Sequence, residues 1–268
     1  MKWCFPVNLS EAIVDITAAF RDRYFWTALG WQDIRTRYRR SALGPLWITI
    51  STAVTVAAMG PLYGALFARS PAEFIPHLAL GLIFWAFIAG SINEFCDAFS
   101  GSAHYLKQVK LPLTVFVLRV IYRQFIILCH NVFIYPVVMV LLGKSINANL
   151  LLLFPGLLLV SLNLLWIGLV VAIFCTRYRD MHPVVNSVMS LMFFITPIVW
   201  QVDQLPADRA HLAHLNPLTI LLELMRQPIL GIAPPLMYWV VALVAVVAGS
   251  FFTIGLLARF RHRVTYWL

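Results

Sequence analysis

Six stretches of the chain run for 20 residues or more without an Asp, Glu, Lys or Arg: 41–68, 74–93, 124–143, 145–176, 181–202 and 227–258. About 20 apolar residues suffice for a helix to cross the hydrocarbon core of a bilayer. The pattern therefore predicts an all-α integral membrane protein with six transmembrane helices. Ahead of them, residues 8–24 read as an amphipathic helix, with Ile13, Ile16, Phe20 and Tyr24 on one face, Asn8 as its cap and Glu11 able to reach back as in a capping box. No soluble domain exists for it to pack on, so it is expected to lie on the membrane surface. This divides the chain into a cytoplasmic interface segment, 1–40, and a membrane domain, 41–268.

The hairpin connections at 69–76 and 143–149 are short. The exception is 203–235, "DQLPADRAHLAHLNPLTILLELMRQPILGIAPP", where Pro206, Asn216-Pro217 and Pro234-Pro235 punctuate two short helical stretches, neither long enough to span. Such a pair can re-enter the membrane against protein or a cavity, or cap the surface.

Composition sharpens the membrane reading: 61% of residues are hydrophobic and 12% charged, against about 45–50% and about 25% in soluble domains. The net charge of +9 would suit a nucleic-acid binder, but the cations flank helix ends, where they face anionic headgroups. With both termini inside, fourteen Lys and Arg fall on cytoplasmic segments and four (Arg69, Lys144, Arg209, Arg226) outside, while Arg119 and Arg123 lie in or beside the third span. That asymmetry places both termini in the cytoplasm. The first 40 residues are too charged for a cleavable signal peptide. Four cysteines without C-x-x-C spacing argue against disulfides and structural zinc.

Catalytic chemistry is not visible. "LLGKS" at 141–145 lacks the first glycine of a P-loop, with Val138 in its place, so ATP and Mg must be bound by another polypeptide. Asp208, His211 and His214 share a helical spacing but fall short of a complete zinc set, and no hydrolase or sugar-nucleotide motif is present. Glu94 and Asp97 close the second span and Arg119 and Arg123 open the third; these charges either pair with one another or leave an arginine fork for an anion such as a pyrophosphate. Tryptophans near helix ends fit an interfacial belt. Trp47, Tyr63, Phe67, Phe193, Phe194 and Trp200 could instead line a passage and stack on sugar rings.

The ordered set "DIRTRYRRSALGPLW", "YLKQVKLPL", "RYRDMHPVV" and "TPIVW...LP...HLNPLTILLELMRQPILG" resembles the membrane subunit of type-2 ATP-binding-cassette exporters, and within them the permeases for O-antigen, capsule or teichoic acid, over nearly the full chain. The resemblance implies a homodimer in the bacterial inner membrane, carrying two ABC ATPase subunits and a lipid-linked polysaccharide. It implies ATPase contacts at Arg35, Arg37, Tyr38, Arg39, Arg40, His104, Tyr105, Lys107, Arg177, Tyr178, Arg179 and Asp180. It places the substrate headgroup near Arg37, Arg119 and Arg123, and an outer gate of re-entrant helices at Pro206, Asn216, Pro217, Arg226 and Gly231. One departure is the absence of a proline shortly after Trp47, where many relatives have one. A permease for a drug or small amphiphile, a membrane enzyme of glycan assembly and a secondary transporter are the alternatives.

Overall fold

The computed structural model describes residues 8–39, 41, 43–44, 46–142, 147–206, 213 and 215–268. Its helices are α1 (Leu9–Arg21), α2 (Arg23–Tyr38), α3 (Leu46–Leu66), α4 (Pro71–Phe95), α5 (Ala103–Gln108), α6 (Thr114–Val132), α7 (Ile134–Leu142), α8 (Leu153–Arg177), α9 (Met181–Ile195), α10 (Pro217–Ile229) and α11 (Leu236–Trp267), and the described residues include no strand. Among the described residues, five helical stretches are long and apolar enough to cross a membrane: α3, α4, Thr114–Leu142, Ala148–Arg177 and α11.

Prolines account for the two departures from a simple bundle of spans. Pro136 lacks an N–H and its ring meets the carbonyl four residues back, at Val132, so the third span breaks into α6 and α7 at Phe133. The run 181–202, expected to make a sixth span, is helical only to Ile195. Pro197 pushes Thr196 into extended backbone, with ψ at 136°. The resulting 15-residue helix is about 22 Å long, short of the roughly 30 Å hydrocarbon core.

The core centres on α4, which packs against α3, α6, α8, α9 and α10 and buries Phe74, Leu78, Leu80, Ile83, Phe84, Phe87, Ile88 and Phe95. α3 lies at the periphery with most of its side chains exposed. α8 and α11 form the longest contact, joined by Asn163, whose Nδ2 donates to Ala242 O at 3.1 Å while its Oδ1 accepts from Trp166 Nε1 at 3.1 Å. Such amides hold helices together where the solvent offers no partners. α10 is sunk between α4, α8 and α11, with Thr219 through Arg226 all buried. Its approach to α8 requires Gly156, where a Cβ would stand 2.5 Å from the Leu224 carbonyl oxygen.

The N-terminal helix has the expected cap, Asn8 accepting from the Glu11 amide. Its packed face, however, is Ala12, Asp15 and Ala19, and it rests on α6 and α11, while Ile13 and Phe20 stay exposed. The helix is thus seated on protein mainly by its small residues, with Ile16 partly packed and Ile13 and Phe20 outward.

Candidate functional site

At the end of the bundle where α1 meets the last turns of α11, five charged side chains from three helices join in one network. Asp33 of α2 accepts from Arg119 Nε at 2.7 Å and, through its other oxygen, from Arg119 Nη2; it also accepts from Arg123 Nη1 at 2.6 Å. Glu94 of α4 accepts from Arg123 Nε at 2.9 Å and from Arg37 Nη2 at 2.9 Å. Arg119 further donates to the Ser102 hydroxyl at 3.2 Å. Clefts of about 240 and 390 Å³ flank the network, the first lined by Asp97, Gly101, Ser102 and Phe116 and the second by Leu29, Gln32, Thr36 and Tyr105. Asp97 pairs with neither Arg119 nor Arg123 among the described residues; it accepts from the Ser100 hydroxyl at 3.2 Å and lies 3.4 Å from His182 Nδ1. Burial works against the charge on Arg37, but the Glu94 carboxylate outweighs it and raises the arginine above its ordinary pKa.

The network carries three guanidiniums against two carboxylates, so removing one acid concentrates repulsion. Asp33→Asn is expected to cost about 2 kcal/mol, because hydrogen bonds to charged partners contribute about 1.5–3 kcal/mol. Faster proteolysis of the connection between α2 and α3, with partial recovery in Asp33→Asn/Arg119→Gln, checks this; an unchanged rate refutes it.

A second device fixes the neighbouring connection. Asp15, fully buried, accepts from the Leu113 amide at 2.9 Å, the Thr114 amide at 3.0 Å and the Thr114 hydroxyl at 2.8 Å. It serves as an N-cap for α6 supplied by a different helix. Arg261 of α11 lies 3.3 Å from the same carboxylate and donates to Glu11 O at 3.0 Å. The segment carrying α5 is therefore held at both ends, through Ser102 on Arg119 and through Leu113 and Thr114 on Asp15.

Around these devices lie the residues expected to meet a partner. Arg35, Arg37, Arg39, His104 and Lys107 are exposed and Tyr38 and Tyr105 half-buried, and Arg177, Tyr178, Arg179 and Asp180 are exposed between α8 and α9. Arg40 lies outside the described residues.

The opposite end is organised by Arg226, 1% exposed on α10. It donates to Pro197 O at 2.7 Å and to His77 Nε2 at 3.0 Å, and it pairs with Glu223. A guanidinium only donates, so His77 Nε2 is the acceptor and its 3.3 Å approach to Trp200 O is not a hydrogen bond. Gly81 permits this packing: a Cβ there would lie 3.0 Å from Ile198 O and 3.3 Å from Arg226 Nη1. Asn216 caps α10 and donates to Thr196 Oγ1 at 2.9 Å, Pro217 is the first helical residue, and Gly231, at φ +83°, accepts from Asn149 Nδ2 at 2.7 Å. Pro206 is exposed beside Leu205, which lines a cavity of about 640 Å³ shared with His77, Asp203 and Arg226. Asp203 pairs with Arg69 of the α3–α4 turn. Most of the first short helix expected here, with Asp208, Arg209, His211 and His214, lies outside the described residues, as do Lys144 and the rest of 143–146.

The six aromatics fall into separate groups. Tyr63 and Phe67 stack 6.0 Å apart with Phe74 beyond them, and Phe193 meets Phe194 and Trp85 at 5.5 and 6.0 Å. Trp200 Nε1 donates to Phe194 O at 2.9 Å, while Trp47 is 62% exposed near the start of α3. Asp33, Asp15, His77 and Glu223 were missed by sequence reasoning; Asp33 alone left a signal there, as the acid four residues before Arg37 in a cationic segment.

A family model described as ABC-2 type transporter matches residues 24–230. The O-antigen export system permease protein RfbA of Myxococcus xanthus is 25% identical over 197 residues, covering 71% of this chain and 74% of the relative. The protein of the same name from Klebsiella pneumoniae is 25% identical over 200 residues, covering 70% and 73%.

Proposed function

This chain belongs to the ABC-2 type transporter family, and from that premise we propose that it is the membrane permease subunit of an ATP-driven exporter of lipid-linked, O-antigen-like polysaccharide. The observation that carries the substrate class is the match, over about 70% of the chain, to two permeases named for O-antigen export. In this reading the chain is a multi-pass inner-membrane protein working as a homodimer, with two separate ATPase subunits that bind ATP and Mg. α9 with the extended residues after it makes the sixth crossing, and α10 belongs to a re-entrant outer gate. The end bearing α1, α2 and α5 faces the cytoplasm, in keeping with its excess of arginine and lysine.

The ATPase docks on the exposed side chains of α2, α5 and the α8–α9 turn. ATP binding draws the two ATPase subunits together, and the motion reaches the membrane helices through α5; differential affinity for two states is all this requires. Arg119 and Arg123 are taken up by Asp33 and Glu94 and fasten α2 to α4 and α6. Arg37 bonds to one acid among the described residues, Glu94, and meets the substrate pyrophosphate at the entrance.

The decisive experiment reconstitutes the chain with its ATPase in liposomes. Lipid-linked glycan is expected to raise ATP hydrolysis severalfold; stimulation by small amphiphiles, with none by any lipid-linked glycan, would refute the substrate class.

A further inference from the structure

Where α8 and α11 leave the apolar layer, the structure holds a cavity of about 310 Å³. Its floor is Phe174, Phe260 and Trp267, and its rim carries Arg177, Tyr178 and Arg263. Both arginines are presented by aromatic faces: the Arg177 Cζ lies 5.5 Å from the Tyr178 ring centroid and 5.3 Å from that of Trp267, and the Arg263 Cζ lies 5.9 Å from that of Phe260. Stacking fixes a guanidinium without neutralising it. Among the described residues neither arginine forms an ion pair, whereas Arg261, two residues before Arg263 on α11, is taken up by Asp15 and Glu11.

The depth of this cavity is defined by the sequence. The charge-free run 145–176 ends at Arg177 and the run 227–258 ends at Arg259, one turn before the cavity's Arg263, so the cavity lies just beyond the uncharged stretch of both helices. The first cations after such runs are expected beside the lipid phosphates. Phe174, one turn deeper and 39% exposed, turns an apolar surface outward below the arginines. A cavity of this size holds about ten water volumes, enough for a phosphodiester and its glycerol. Basic pockets between membrane helices on the cytoplasmic side suit anionic headgroups.

We propose that this cavity binds one anionic glycerophospholipid, with Arg177 and Arg263 holding its phosphate and an acyl chain lying along Phe174. This takes Arg177 out of the set of ATPase contacts and leaves Arg179 and Asp180 in it. The site is independent of which cargo the transporter carries.

The full-length chain is purified in mild detergent and its bound lipids quantified by mass spectrometry. Wild type is expected to retain an anionic phospholipid, and Arg177→Gln/Arg263→Gln to lower its affinity by roughly thirtyfold, two surface cations' worth. The charge-matched Arg21→Gln/Arg23→Gln is expected to retain it. In vesicles, brominated phosphatidylglycerol is expected to quench a fluorescence component that Trp267→Phe removes, and brominated phosphatidylcholine not to quench it. This reading on the wild-type cavity decides the matter even where the double variant folds poorly. Equal quenching by the two lipids, or equal lipid loss in both double variants, overturns the proposal. Release of the lipid by millimolar inorganic phosphate assigns the site to free phosphate. Loss of ATPase binding with lipid retained returns Arg177 to the partner surface.

Discussion

Arg226→Met is expected to lower the midpoint of thermal unfolding in detergent by on the order of 10 °C, about 3–5 kcal/mol for a buried pair broken from one side. The cost follows from what the guanidinium holds. Glu223 would be left as a buried, unpaired carboxylate, and Pro197 O and His77 Nε2 would lose their donor. Because the penalty comes from the stranded charge, Arg226→Met/Glu223→Leu is expected to recover most of the loss. Arg226→Lys should fall between, since an ammonium cannot reproduce the planar fork that reaches three elements. An unchanged midpoint in Arg226→Met would mean that this end of the bundle is held by α10 packing alone.

Asp15→Ala is the second large effect. It strips the Leu113 and Thr114 amides and the Thr114 hydroxyl of their acceptor and Arg261 of its buried partner. At about 1.5–3 kcal/mol for each hydrogen bond between charged and neutral groups, shared among a partly compensating set, the expected loss is about 3 kcal/mol. That corresponds to roughly a hundredfold faster hydrogen exchange over α1. The effect is local, because α4 and its contacts carry the core without α1. Asp15→Asn, which keeps one acceptor oxygen, should exchange at an intermediate rate. Loss of the whole fold, in place of α1 alone, would refute the assignment of Asp15 as a clasp.

The spans were legible because a bilayer demands long uncharged runs, and five such runs are helices of sufficient length. In the sixth run, what charge counting hid was the helix end at Ile195, because it ignores Pro197, which restricts Thr196. The N-terminal helix was legible from Asn8 and Glu11, and Ile13 and Phe20, expected at the membrane surface, are exposed; its seat on α6 and α11 was not legible. Ile13 and Phe20 dominate the apolar count, while the packed face is two alanines and an aspartate, a pattern that hydrophobicity hides. The pairing of Arg123 with Glu94 was visible as opposite charges on neighbouring helices. Asp33 as the partner of Arg119 needed the fold of α2 against α6, which no spacing supplies. His77 and Glu223 became informative only once α10 was seen to lie between α4 and α11.

The double fastening of the α5 segment has a mechanical consequence. A strap gripped at one point swings; gripped at two, it transmits torque. Any load on α5 passes to the side of α6 through Ser102 and Arg119 and to its first turn through Asp15. The two grips lie on one rod, so that load moves α6 as a body. Since Asp15 also holds Arg261 of α11 and Arg119 also holds Asp33 of α2, the same motion carries both ends of the described chain with it.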